Sequence, residues 1–241
     1  MKKTMSTLAI AGLMTASPMA ISTAAAEWSA SGNVALTSNY VFRGVSQTDN
    51  AATVQGGFDL EHSSGFYAGV WASGVDSGFY SGAEAEFDLY AGFGGEFSNG
   101  LGYDIGYLAY RYPDTTFNDN NTEEVYGSLS YDFGPAAVSV GLAYSSDWFG
   151  TDEATYTTVG VDIPLPNDFG LSLHYGSEDF DNLDDYDDWK IGLSKSWKGF
   201  DFALDYTDTD VDDDVGQNPV TGVGGGHLAD GTVIFTISKS L

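Results

Sequence analysis

Apolar and polar side chains alternate along most of this chain. From Trp28 every second residue is apolar or small, through Ala30, Gly32, Val34, Leu36, Ser38, Tyr40 and Phe42. Between them fall Ser29, Ser31, Asn33, Thr37, Asn39 and Arg43. A period of two predicts a strand with one apolar and one wet face. It outruns the roughly 5–6 residues usual in a soluble domain. The pattern recurs over 52–62, 66–75, 83–97, 101–112, 123–133, 136–145, 155–165, 169–176, 186–197, 200–207 and 232–241, which predicts twelve strands in all. The fourth is the clearest, with Ala85, Phe87, Leu89, Ala91 and Phe93 set against Glu84, Glu86, Asp88, Tyr90 and Gly92.

The connections alternate in kind. Five are tight, at 63–65, 98–100, 134–135, 166–168 and 198–199; six are longer and polar, near 44–51, 76–82, 113–122, 146–154, 177–185 and 208–231. An even strand number with short turns at one end and long loops at the other predicts an all-β fold, a transmembrane antiparallel up-and-down β-barrel. Phe66, Phe97, Phe133, Phe169, Trp197 and Phe200 flank the tight turns on the apolar parity of their strands. Such a ring predicts an interfacial girdle on the periplasmic side. A soluble β-sandwich or lipocalin-like barrel explains neither the one-sided loops nor the ring.

Residues 1–26 differ in kind. Lys2 and Lys3 precede an apolar run from Thr7 to Met14, and Ala24-Ala25-Ala26 precedes Glu27. This predicts a cleaved signal peptide over 1–26 and an outer-membrane barrel over 27–241. The chain carries 8 Lys+Arg against 35 Asp+Glu, a formal charge of -27. So acidic a surface excludes nucleic acid as a partner. Aromatics at 15% argue against disorder, and the lack of cysteine excludes a disulfide scaffold.

If the apolar parity faces lipid, the other parity lines the lumen. The candidate pore-lining residues are Arg43, Asp59, Glu61, Glu84, Glu86, Asp88, Asp104, Glu124, Asp162, Asp188, Lys190, Asp201 and Asp205. A lumen so acidic attracts cations and repels anions. The opposing expectation is a plugged barrel, whose carboxylates pair with the few cations and with tyrosine hydroxyls. Arg43, near the outer end of strand one, is placed to meet Glu84 and Glu86, either as a constriction or as an ion pair tying strands together. The acidic stretches 178–185 and 208–214 are candidate sites for divalent cations, although the second lacks the glycine and glutamate of a calcium loop, having Asp213 and Pro219 there. Ser172 and His174 share a face, but it is the lumen face, away from any lipid substrate. His62 and His227 make no ligand-spaced set with them. No catalytic residue, cofactor or resident metal site is expected.

Three blocks carry a family resemblance: Ser38-Asn39-Tyr40-Val41-Phe42-Arg43-Gly44-Val45-Ser46-Gln47, Gln55-Gly56-Gly57-Phe58-Asp59, and Gly65 through Ser73. Tyr110-Arg111-Tyr112-Pro113, Glu124-Val125-Tyr126 and Tyr144 through Gly150 add to them. The chain resembles the TorF family of porin-like proteins, also described as Gcw_chp. The resemblance implies an envelope protein acting as a pore and brings no catalytic residues. The chain departs from the common barrel ending in one respect, since Leu241 stands where an aromatic is usual. The expected function is passive passage of small solutes, favouring cations, with outer-membrane lipid and lipopolysaccharide as surroundings. The alternative is a closed structural or adhesive barrel acting through its extracellular loops.

Overall fold

The computed structural model describes residues 27–116, 121–211 and 226–241. The expected signal peptide, and the acidic stretch from residue 212 on, lie outside the described residues. Fourteen strands follow in chain order: β1 Trp28–Thr37, β2 Val41–Phe42, β3 Val45–Ser46, β4 Thr53–His62, β5 Phe66–Gly74, β6 Ala85–Glu96, β7 Leu101–Arg111, β8 Thr122–Asp132, β9 Ala137–Ser145, β10 Ala154–Leu165, β11 Phe169–Phe180, β12 Tyr186–Trp197, β13 Phe200–Thr209 and β14 Thr232–Ser240. Twelve of them close one barrel in the order β1-β14-β13-β12-β11-β10-β9-β8-β7-β6-β5-β4, while β2 and β3 form a separate hairpin. Every pairing is antiparallel, and β1 and β14 seal the seam, with Leu36 opposite Ile237.

The barrel is apolar outside and polar inside, the reverse of a soluble barrel. Leu36 pairs laterally with Val54, Phe58 with Val70, and Val70 with Leu89. Leu36, Val54, Phe58 and Leu89 are all exposed on the outer face. In water so continuous an apolar belt would drive aggregation, whereas hydrocarbon removes that cost. Closure gives every wall strand a hydrogen-bonded neighbour on each side, as a lipid environment demands. Phe66, Phe97, Phe133, Phe169, Trp197 and Phe200 are exposed beside the tight turns, where a girdle is expected. Inside, aromatic rings lie over glycines of the neighbouring strand. Tyr90 is opposite Gly69 and Tyr67 opposite Gly92, and a methyl group on either glycine would come within 2.4 Å of the tyrosine.

Two elements differ from the sequence reading. The alternation that promised one strand past Phe42 is broken, because β1 ends at Thr37. Ser38 still accepts from and donates to Phe235 across the seam, its N–H giving a 2.9 Å bond. After that the chain leaves the wall. Asn39 ties the base of the loop, its carbonyl oxygen Oδ1 accepting from Ser46 at 2.7 Å and from Thr48 at 3.0 Å. The Gln47 N–H donates to Tyr40 at 2.7 Å, and Val41 pairs with Ser46 and Phe42 with Val45. Arg43 and Gly44 make the turn, with φ of 47° and 78°. Two left-handed residues are what a two-residue type I′ turn needs, and glycine suits the second place. A hairpin inside a barrel keeps the strand period, so alternation alone could not separate it from the wall. The second difference is at β11, which runs to Phe180 rather than stopping at 176.

Candidate functional site

The β2–β3 hairpin folds into the lumen and meets the opposite wall. Its tip, Arg43, is buried. The Arg43 guanidinium bonds Glu124 of β8 at 2.5 Å and Glu178 of β11 at 2.8 Å and 3.0 Å. Tyr186, at the start of β12, donates its hydroxyl to the Arg43 carbonyl at 3.0 Å. Three rings surround the cation: Tyr156 at 4.2 Å, Trp148 at 4.7 Å and Phe42 at 4.8 Å from the guanidinium carbon. Burial by itself would loosen the Arg43 proton, but Glu124 and Glu178 outweigh it and raise the guanidinium's affinity for its proton well above the usual. Removing one partner would strand a buried charge, which is why such a cluster locks a loop in place.

Described residues of other loops add a layer over the hairpin. Tyr80, between β5 and β6, bonds the Gln47 side chain and stacks on Tyr112 with centroids 4.1 Å apart. Trp148 and Phe149, between β9 and β10, are buried against Tyr110. Tyr40, Val45, Tyr80, Tyr110, Tyr112, Trp148, Phe149 and Tyr186 belong to one buried cluster. The protein's core therefore lies in the outer half of the lumen, and its loops are not merely polar connectors.

Tyrosine hydroxyls meet most of the enclosed carboxylates. Glu86 accepts from Tyr40 at 2.8 Å and from Tyr112 at 2.7 Å. The second oxygen of Glu124 accepts from Tyr110 at 2.7 Å. Asp188 accepts from Tyr156 at 2.7 Å and lies 3.3 Å from the His174 ring. Asp104 accepts from Tyr67 at 2.8 Å, and Asp59 is bonded by Tyr90. Asp88 is buried, with its Oδ1 unpartnered.

Burial grades along the wall. On β8 the lumen parity runs from buried Thr122 and Glu124, through half-buried Tyr126 and Ser128, to exposed Ser130 and Asp132. On β10 it runs from buried Ala154, Tyr156 and Thr158 to exposed Asp162. The outer half is closed to water and the turn-side half is open to it.

Of the residues expected on the lumen, Arg43, Glu86, Asp88, Asp104, Glu124, Asp188 and Asp205 are buried, while Asp59, Glu61, Lys190 and Asp201 are half-buried. Asp162 keeps the lumen parity but is water-exposed. Glu84 precedes β6 and is exposed, outside the enclosed set. The expected meeting of Arg43 with Glu84 and Glu86 does not form, because the hairpin carries Arg43 across the lumen instead of leaving it on strand one. Glu86 is taken by Tyr40 and Tyr112. Ser172 and His174 lie on lumen parity in β11, as expected.

The sequence places Glu178 in an acidic surface loop, whereas in the structure it extends β11 and is buried in the lumen. The signal was present: Glu178 continues the even parity of Gly170, Ser172, His174 and Gly176. The sequence places Tyr80 and Trp148 in the longer connections and Tyr112 at the end of the fifth strand, and only the structure gathers the three into one core. Among the described residues no group of three His, Asp or Glu is placed to hold a metal ion.

A closed twelve-stranded barrel with an apolar exterior, aromatic girdle and polar lumen is a porin-like fold of the outer-membrane type. The family model described as "Bacterial protein of unknown function (Gcw_chp)" matches residues 21–241, and the chain belongs to that family. Among solved structures, a KdgM porin is similar at a TM-score of 0.56 and 9% identity, over 87% of this chain and 97% of that one. A KdgM porin in complex with disordered oligogalacturonate scores 0.55 at 9% identity, over 88% and 98%. A NanC porin scores 0.54 at 11% identity, over 87% and 98%. At these identities the likeness is one of fold. No curated protein matches the chain.

Proposed function

We propose that this protein is an outer-membrane channel for small solutes that favours cations over anions, its outer half closed in the form described. The observation that carries the reading is the acidic lumen inside a porin-like barrel. Glu86, Asp88, Asp104, Glu124, Glu178, Asp188 and Asp205 are buried there, against Arg43. Enclosed carboxylates in a low-dielectric wall favour cations and repel anions. A polyuronate such as the oligogalacturonate of the KdgM complex is itself polyanionic, so it does not suit this lumen. The narrower likeness to the TorF family fits a pore, and the lipid face suits outer-membrane lipid and lipopolysaccharide. The protein is read as non-enzymatic, with Ser172 and His174 as lumen lining, and divalent cations are left to the exposed acidic loops.

Reconstitution in a planar bilayer with a salt gradient tests the reading. Cation-selective conductance, in which Arg43→Ala conducts more than the wild type, is the expected result. Conductance absent from both, or anion-selective, would sink it. The closed outer layer also favours a second reading, a barrel that acts through its extracellular loops as an adhesive or structural protein. It expects no conductance from either form, together with a loss of surface attachment when loop residues 77–82 are removed.

A further inference from the structure

We propose that the wall around Arg43 is a binding seat for a guanidinium-bearing solute, and that the hairpin's own Arg43 occupies it when no such solute is present. Three observations converge. The seat is built by the wall and the loop between β9 and β10: Glu124, Glu178, Tyr156 and Trp148 all lie outside the hairpin. Its two glutamates are almost completely buried, with side chains 3% and 1% exposed, and both point at one cation. Flat rings at 4.2 Å and 4.7 Å match a planar, delocalised cation better than a compact ammonium.

The occupant fits imperfectly. Arg43 satisfies both glutamates through its terminal nitrogens but leaves Nε buried without a partner. It also holds a left-handed φ of 47° at the hairpin tip. A free guanidinium carries neither the tether nor the strained turn. It would reach the seat from the open half of the lumen, where exposed Asp162 and half-buried Lys190 and Asp201 line the approach. Nearby, the Oδ1 of buried Asp88 is a further acceptor without a partner in the same layer. Binding of the solute and seating of Arg43 exclude one another, so a solute that wins the seat releases the hairpin. That consequence for passage rests on the channel reading; the seat does not.

Isothermal titration of the refolded full chain in detergent with N-ethylguanidinium tests the seat. Arg43→Ala should bind one equivalent, at least tenfold more tightly than the wild type, and Arg43→Ala combined with Glu178→Gln should lose at least tenfold. Equal affinity in all three, or none in Arg43→Ala, would overturn the proposal. If Arg43→Ala does not refold, Arg43→Met keeps the stem and takes its place. Refolding of either only with N-ethylguanidinium present would support the seat, and failure of both with it present would overturn it. Bilayer recording separates the two ideas: N-ethylguanidinium binding without conductance in any variant removes the channel and keeps the seat. Conductance of Arg43→Ala without N-ethylguanidinium binding removes the seat and keeps the channel.

Discussion

Arg43 combines a left-handed backbone with a buried charge, two costs that one residue rarely carries together. Its contacts with Glu124 and Glu178 offset both. Glu178→Ala would leave a buried guanidinium short of one carboxylate, a loss of about 3–5 kcal/mol when a buried pair is broken. Local opening of the loop should become over about a hundredfold more frequent. Amide exchange at Tyr40 and Gln47, followed by mass spectrometry, would show it, and unchanged exchange would mean the pair does not hold the hairpin. Gly44 carries a second constraint. Its φ is 78°, and a Cβ there would lie 2.3 Å from the Thr209 methyl and 2.9 Å from the Asp188 Cβ. Gly44→Ala should therefore unseat the hairpin and raise amide exchange over the same residues, and slow exchange like that of the wild type would show that the tip yields without leaving its seat.

Each wall strand is a two-sided element, and its two faces should respond oppositely to charge. Leu173 and Ser172 are adjacent on β11, the first on the lipid face and the second in the lumen. Leu173→Arg places a cation in hydrocarbon and should cost about 2–4 kcal/mol near the midplane. Ser172→Arg enters an acidic, half-open lumen and should cost far less. Urea unfolding in lipid vesicles measures both; equal losses would contradict the assigned parity. The parity itself was legible from sequence, because β-strands repeat every two residues and lipid selects one face. The end of β1 was not legible. Tyr40 and Phe42 keep the apolar parity of Val34 and Leu36, yet they pack inside the barrel against Trp71 and Tyr110. An apolar side chain looks the same in sequence whether lipid or a lumen core receives it.

At the scale of the whole molecule, the lumen has two halves with different access. The chain has no cysteine, so a single introduced thiol reports on one place. Ser130 is exposed in the turn-side half, and Ser73 is 3% exposed in the outer half. A charged methanethiosulfonate should modify Ser130→Cys quickly and Ser73→Cys slowly. Adding Arg43→Ala to Ser73→Cys should speed its reaction towards that of Ser130→Cys. If Ser73→Cys reacts as fast as Ser130→Cys with Arg43 in place, the outer half is open and the loop layer is no barrier.

The sequence by itself determined the number of wall strands, which face meets lipid, which end carries the short turns, and the acidity of the lumen. These follow from local repetition, from turn residues and from composition, so no long-range contact is needed to read them. The tertiary structure alone decided where the hairpin 41–46 goes, that Glu178 and not Glu84 or Glu86 answers Arg43, and that Tyr80, Tyr112 and Trp148 form a core. Arg43 and Glu178 are bonded yet stand 135 positions apart. Their meeting depends on barrel closure, which brings β11 round to face a loop that leaves β1. Charge pairing across a closed lumen is a property of that three-dimensional circuit, and no spacing along the chain encodes it.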